Sequence, residues 1–214
     1  GDWSSDVCSS DLVVNHKGKG IFLLKGVTGS GKTEVYLQLV ENALKNGKSA
    51  IILVPEIALT PQTIARFSGR FGERVAVLHS KLTYSERYDQ WQKILDKDVD
   101  IVVGARSAIF APLKNLGIII IDEEHEESYK SDQTPKYDAR EIGEIRANYH
   151  QIPLVLGSAT PRLESCFRVY QKDIILLELN RRALNQNMPD LSIVDMRTEL
   201  KEKNNPAGDR KSVV

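Results

Sequence analysis

The chain has 214 residues, 41% hydrophobic and 27% charged, which is enough apolar material for one globular core and excludes a disordered or fibrous composition. Lys and Arg (29) balance Asp and Glu (29), so bulk charge selects neither nucleic acid nor a membrane surface, and any DNA site has to be a local patch. Cys8 and Cys166 lack a CxxC spacing, and no apolar run approaches the roughly 18–20 residues that span a bilayer, which excludes a disulfide framework, a zinc site built from this chain and a membrane span, and points to the cytoplasm.

Residues 1–12 (GDWSSDVCSSDL) carry no periodicity, and residues 207–214 (AGDRKSVV) are equally unpatterned. Both read as disordered or non-native ends. The expected organisation is a leader at 1–12, one folded lobe at 13–179, a polar linker at 180–206 and a tail at 207–214.

The first expected strand, 21–24, runs into Gly26, Val27, Thr28, Gly29, Ser30, Gly31, Lys32 and Thr33, an unbroken GxxxxGKT, and a helix is expected over 32–45. Backbone N–H groups in such a loop turn inward around a phosphate, glycine permits the dihedrals, and the positive end of the following helix attracts anions. In this reading Lys32 reaches the β- and γ-phosphates of a nucleoside triphosphate and the Thr33 hydroxyl ligates Mg²⁺. A glycine-rich turn that merely joins strand to helix is the plainer alternative. The strand before and the helix after favour nucleotide binding.

The next strand, 50–54, leads to a helix at 61–71, where Thr60 before Pro61 fits an N-cap with proline at the first helical position. Strand 75–78 ends at His79 and Ser80, to which no catalytic role is given, and precedes a helix at 84–95. Strand 101–103 is followed by Arg106 and Ser107. These β-branched runs separated by helical patterns predict an α/β fold: a doubly wound, mostly parallel sheet with helices on both faces, whose chemistry lies beyond the carboxyl ends of its strands.

Ile118 to Ile121 form a strand that can only be buried, and it ends at Asp122, Glu123, Glu124 and His125. A carboxylate at that tip lies beside the phosphate loop in this architecture. Asp122 is therefore expected to hold Mg²⁺ through its water shell, and Glu123 to orient or deprotonate the water that attacks the γ-phosphate. His125 has no comparable job in phosphate chemistry and is expected to link the site to a neighbouring motif. Glu126 and Glu127 read as a solvated loop. A helix at 139–149, a strand at 154–156, a helix at 161–170 and a strand at 174–177 complete the lobe.

GVTGSGKT at 26–33 with DEEH at 122–125 resembles the superfamily 2 helicases of the DEAH-box type. VPEIALTPQ (54–62), VGARSAIFAP (103–112) and GSATPRLES (157–165) make the chain resemble more narrowly the bacterial primosomal, or replication-restart, helicases over most of 21–179, as a P-loop NTPase lobe of the RecA-like kind and the first of two motor lobes. The resemblance implies ATP and Mg²⁺ as cofactors, movement 3′ to 5′ along single-stranded DNA, and unwinding of forked DNA. It also implies partners among other primosome proteins and the single-stranded DNA-binding protein.

By the same resemblance, 54–62 and 103–107 track the DNA backbone, and Ser158 and Thr160 couple hydrolysis to movement between lobes. Thr60, Gln62, Arg106 and Ser107 all follow strand ends and carry groups that contact phosphate oxygens without reading sequence. The segment 129–137 (YKSDQTPKY) resembles the family's aromatic-rich loop, so Tyr129 or Tyr137, with Lys130 and Lys136, are candidates to stack and hold bases. Ser158 and Thr160 also fit a plain helix cap.

The resemblance implies zinc only in a cysteine-rich segment, which the two cysteines of this sequence do not supply. The second lobe, whose arginines are worth about 10³–10⁵ in rate, is also missing. The chain alone is therefore expected to bind nucleotide weakly, to hydrolyse it very slowly and not to unwind DNA. Three other readings stand beside this one: a P-loop small-molecule kinase, a nucleotide-gated DNA-binding module, and another superfamily 2 DNA translocase.

Overall fold

Among the described residues, which are residue 13 and residues 20–179 of a computed structural model, seven strands form one sheet: β1 (Gly20–Gly26), β2 (Ser49–Leu53), β3 (Val75–Leu78), β4 (Ile101–Gly104), β5 (Leu116–Ile121), β6 (Pro153–Ser158) and β7 (Ile175–Leu179). Their order is β3-β4-β2-β5-β6-β1-β7, and every neighbouring pair is parallel. The expected leader (1–12), linker (180–206) and tail (207–214) lie outside the described residues.

The helices are α1 (Lys32–Lys45), α2 (Pro61–Phe71), α3 (Tyr84–Asp96), α4 (Ala139–His150) and α5 (Leu163–Tyr170). Side-chain alternation along the strands divides them between two faces. Phe22, Leu24, Ile52 and Ile120 pack with Val40 of α1 and Phe67 of α2. Ile21, Leu23, Ile51 and Ile121 pack with Ile94 of α3 and Ala147 of α4. All residues of β2 and β5 are buried, and each Ile or Leu contributes about 1.5–3 kcal/mol by leaving water. The sheet is thus the doubly wound parallel α/β sheet expected, with helices on both faces. Among the described residues no helix is long and apolar enough to cross a membrane.

Local capping sets most helix starts. Thr60 Oγ1 accepts from Thr63 N (3.3 Å), with Pro61 at the first turn. Thr83 and Glu86 form a reciprocal capping box at α3, and Asp138 accepts from Arg140 N (2.9 Å) at α4. No side chain of its own N-cap residue caps α5, which begins at Leu163 and not at Pro161 as expected. The Arg162 N–H donates to the Glu124 carboxylate at 2.8 Å, holding Arg162 in an extended conformation (φ −61°, ψ 151°).

Candidate active site

The register aligns Ile121 with Leu156 and Lys25 with Ser158, so the tips of β5, β6 and β1 lie side by side. From the β1 tip, the chain turns with Ser30 N donating to Val27 O (3.0 Å) and enters α1 through Gly31, which is left-handed (φ 93°). Gly29 is left-handed too (φ 79°), and no side chain caps α1. The first N–H groups of α1 therefore lack the side-chain acceptor that capped helices have.

A Cβ at Gly26 would lie 2.4 Å from Ser30 Oγ, which is itself buried without a hydrogen-bond partner. Lys32 is buried, and its Nζ donates to Gly26 O (2.7 Å) while lying 3.8 Å from Glu123 Oε1. An ammonium has three donors, so one hydrogen bond and one longer ion pair leave it able to take an anion. An orphaned hydroxyl, left-handed glycines, an uncapped helix and a buried lysine on one loop fit a phosphate group. Thr33 is half-buried in the first turn of α1, next to Lys32.

Asp122 follows β5 and its N–H donates to Leu53 O (2.9 Å). Its carboxylate accepts the Tyr36 hydroxyl at 2.8 Å. Burial raises the Asp122 pKa above the usual aspartate value; the Tyr36 hydrogen bond works against this and the Glu123 charge adds to it. Glu123 stands in the left-handed region (φ 45°), an uncommon place for a residue with a side chain, and this turns its carboxylate toward Lys32 and His125. The structure thus brings Lys32 and Glu123 together directly, and Asp122 to the helix that carries Lys32 and Thr33.

At the β6 tip, His125 Nδ1 and Ser158 Oγ are hydrogen-bonded at 2.8 Å, and Ser158 Oγ also accepts from Thr160 N at 3.0 Å. His125, Ser158 and Thr160 therefore form one connected chain beside Glu123, whose Oε2 is 3.6 Å from His125 Nδ1.

Two residues of this site escaped the sequence reading. Tyr36 looks like part of an apolar helix face, and nothing local marks its hydroxyl. Glu124 looks like one more acid in an acidic run, yet it is buried. It accepts from Arg162 N (2.8 Å) and Ser165 Oγ (3.1 Å), and its backbone donates to Gly157 O (2.8 Å) and accepts from Arg140 (2.7 Å). Each oxygen of its buried carboxylate accepts one of these side-chain-directed bonds, as a buried polar group requires.

The expected DNA-contact residues are unequally placed. Thr60, Gln62, Ser107 and Lys136 are exposed, and Tyr137 is half-buried with its ring edge against Phe110 (centroids 5.0 Å). Arg106 donates to the Ser128 and Lys130 carbonyls and lies 5.7 Å from the Tyr137 ring centroid, so it braces the loop that carries Lys130 and Tyr137. Tyr129 corrects an expectation: it is fully buried and its hydroxyl donates to Asp122 O at 2.6 Å, so its ring offers no face to a nucleobase. Apolar contacts within the core outweigh the polar character of its sequence neighbours. Phe110, 47% exposed beside Tyr137, was not singled out from sequence.

Residues 11–169 match the DEAD/DEAH box helicase family, and the chain belongs to that family. Within it, the chain is 59% identical over 184 residues to Replication restart protein PriA of Bacillus subtilis (strain 168), covering 86% of this chain and 23% of that protein. It is 54% identical over 187 residues to the PriA of Synechocystis sp., covering 85% of this chain and 22% of that protein. The chain thus spans less than a quarter of the length of these relatives. Its fold resembles the helicase domain of Hef from Pyrococcus furiosus, with a TM-score of 0.54 at 21% identity over 79% of this chain and 37% of that one. The chain carries a helicase domain of this family.

Proposed function

We propose that this lobe binds ATP with Mg²⁺ and serves as the first motor lobe, residues 13–179, of a 3′-to-5′ DNA helicase that acts in replication restart in the cytoplasm. The observation that carries the reading is the approach of Lys32 to Glu123, 3.8 Å across the mouth of a glycine loop. Gly26, Val27, Thr28, Gly29, Ser30 and Gly31 surround the phosphates with backbone donors, Lys32 neutralises them, and Thr33 and Asp122 hold the metal. Bound Mg-ATP supplies the phosphoanhydride bond and the charge that its cleavage needs. Glu123 holds the proton-accepting position for the attacking water, and the His125–Ser158–Thr160 chain carries the state of that position to the β6 tip.

Single-stranded and forked DNA then lies along Thr60, Gln62, Ser107, Lys136 and Tyr137, with Arg106 keeping the 127–137 loop in place. Other primosome proteins and the single-stranded DNA-binding protein are partners of a protein with the relatives' full length. Arginines from a second lobe complete the charge stabilisation, so the lobe alone binds nucleotide weakly and turns over very slowly, without unwinding.

Titration of a fluorescent ATP analogue into the 214-residue chain with Mg²⁺ tests the reading. Saturable uptake that Lys32→Ala weakens at least tenfold is expected. Equal uptake by the two chains overturns it.

A further inference from the structure

Tyr36 lies in α1, one turn beyond the phosphate loop, and is 1% exposed. Its ring belongs to the core on the α1 face of the sheet, yet its hydroxyl reaches the tip of β5 and donates to Asp122 Oδ1 at 2.8 Å. The space for that hydroxyl exists because β6 has no side chain there. A Cβ at Gly157 would lie 1.7 Å from the Tyr36 hydroxyl oxygen, 2.9 Å from its Cζ and 3.3 Å from Asp122 Oδ1. The helix of the phosphate loop, the acidic β5 tip and the β6 tip therefore meet at one hydroxyl group.

The phenol hydroxyl is the donor and the Asp122 carboxylate oxygen the acceptor. Hydrogen bonds to an ionised acceptor are stronger and better oriented than neutral ones. Because α1 also carries Lys32 and Thr33 in its first turn, a bond from Tyr36 to Asp122 ties the carboxylate to the same rigid element as the loop.

We infer that Tyr36 is a positioning residue whose hydroxyl holds Asp122 at a set distance and orientation from Thr33, so that the two can share one hydrated cation. The inference rests on the nucleotide reading above and deepens it: Tyr36 touches neither nucleotide nor metal, and acts only through Asp122.

The test is the Mg²⁺ dependence of N-methylanthraniloyl-ADP binding to the 214-residue chain, with a parallel titration in EDTA. Tyr36→Phe keeps the buried ring and removes the hydroxyl. Its affinity in EDTA should match the unsubstituted chain within about twofold, while the Mg²⁺ concentration for half-maximal enhancement rises about tenfold, the scale of one lost charge-assisted hydrogen bond. Gly157→Ala crowds the same hydroxyl from the β6 side and should raise the Mg²⁺ requirement in the same direction. In the double variant the two effects should add less than fully, since the loss of the hydroxyl removes the 1.7 Å approach and leaves only those to the ring carbon (2.9 Å) and Asp122 Oδ1 (3.3 Å).

A Tyr36→Phe chain that melts at lower temperature but keeps the same Mg²⁺ requirement reduces Tyr36 to a core residue and overturns the inference. Should Tyr36→Phe fail to fold, an unchanged Mg²⁺ requirement in Gly157→Ala overturns it equally. If the unsubstituted chain takes up no nucleotide in either buffer, the nucleotide reading itself fails and this inference falls with it; that outcome is distinct from normal uptake with an unmoved Mg²⁺ midpoint.

Discussion

Lys32 Nζ and Glu123 Oε1 stand 3.8 Å apart, one on the helix after β1 and the other on the turn after β5, with β6 between those strands. The parallel register alone would leave a gap one strand wide between the two tips. The left-handed conformation of Glu123 (φ 45°) and the long reach of Lys32 close it. Both groups are thus brought together by the protein's own fold.

Glu123→Gln keeps the shape and hydrogen-bonding reach of the side chain and removes its basicity. In a chain of the relatives' full length, ATP turnover with single-stranded DNA should fall about 10²–10⁴-fold, the usual worth of a general base, with nucleotide affinity retained. Steady-state phosphate release alongside equilibrium binding checks both halves. Turnover within a few fold of the unsubstituted protein would move the base elsewhere.

Asp122 makes a sign-specific prediction. Burial raises its pKa in the folded state above the ordinary aspartate value of 3.8. A raised folded-state pKa means the folded chain binds the proton more readily than the unfolded one, so stability is greatest below the unfolded pKa and is lost as pH rises through the folded one. Above that window, in metal-free buffer, the ionised carboxylate is a net cost. Asp122→Asn should therefore raise the melting temperature at pH 7 in EDTA, with the gain shrinking as the buffer is acidified toward the ordinary aspartate value. A variant that melts lower at pH 7 and equal at low pH contradicts this account.

Glu124 ties the acidic turn to α5. Glu124→Ala leaves the half-buried Arg162 N–H and the buried Ser165 hydroxyl without their acceptor, at a cost on the order of 1–3 kcal/mol for the buried hydroxyl left unpaired. Chemical denaturation should show that loss. Glu164→Ala, on an exposed neighbour, should stay within about 0.5 kcal/mol.

The DNA surface is tested by a pair of tyrosines. Tyr137→Ala should weaken binding of a single-stranded oligonucleotide by about 1–3 kcal/mol if a base stacks there. Tyr129→Phe removes a hydrogen bond inside the core and should change stability without changing that affinity. Fluorescence anisotropy with a labelled oligonucleotide separates the two, and equal effects from both would remove the stacking assignment.

The strands were legible because central parallel strands must be apolar along their whole length, as the run Ile118 to Ile121 is. The starts of α1 and α2 were legible because their signals are local, the glycine loop and Thr60 with Pro61; those of α3 and α4 followed from the helical pattern, and their caps, Thr83 with Glu86 and Asp138, were not singled out. The start of α5 was not legible, since Glu124, far away in the chain, decides it. The same physics hid the rest of the site. Tyr36 and Tyr129 are placed by packing between elements, and a tyrosine's hydroxyl partner leaves no mark in its own segment. The His125–Ser158 contact was anticipated only as a link to some neighbouring motif; the pairing of β5 with β6 supplies the partner.

The most direct measurement is a crystal structure of the 214-residue chain with Mg²⁺ and a non-hydrolysable ATP analogue. The account predicts triphosphate within residues 26–33, Lys32 Nζ moved from the Gly26 carbonyl to a phosphate oxygen, and the metal between Thr33 and Asp122, with Glu123 facing the terminal phosphate. Nucleotide bound away from this loop, or bound in it with Asp122 and Glu123 turned from the metal, would contradict it.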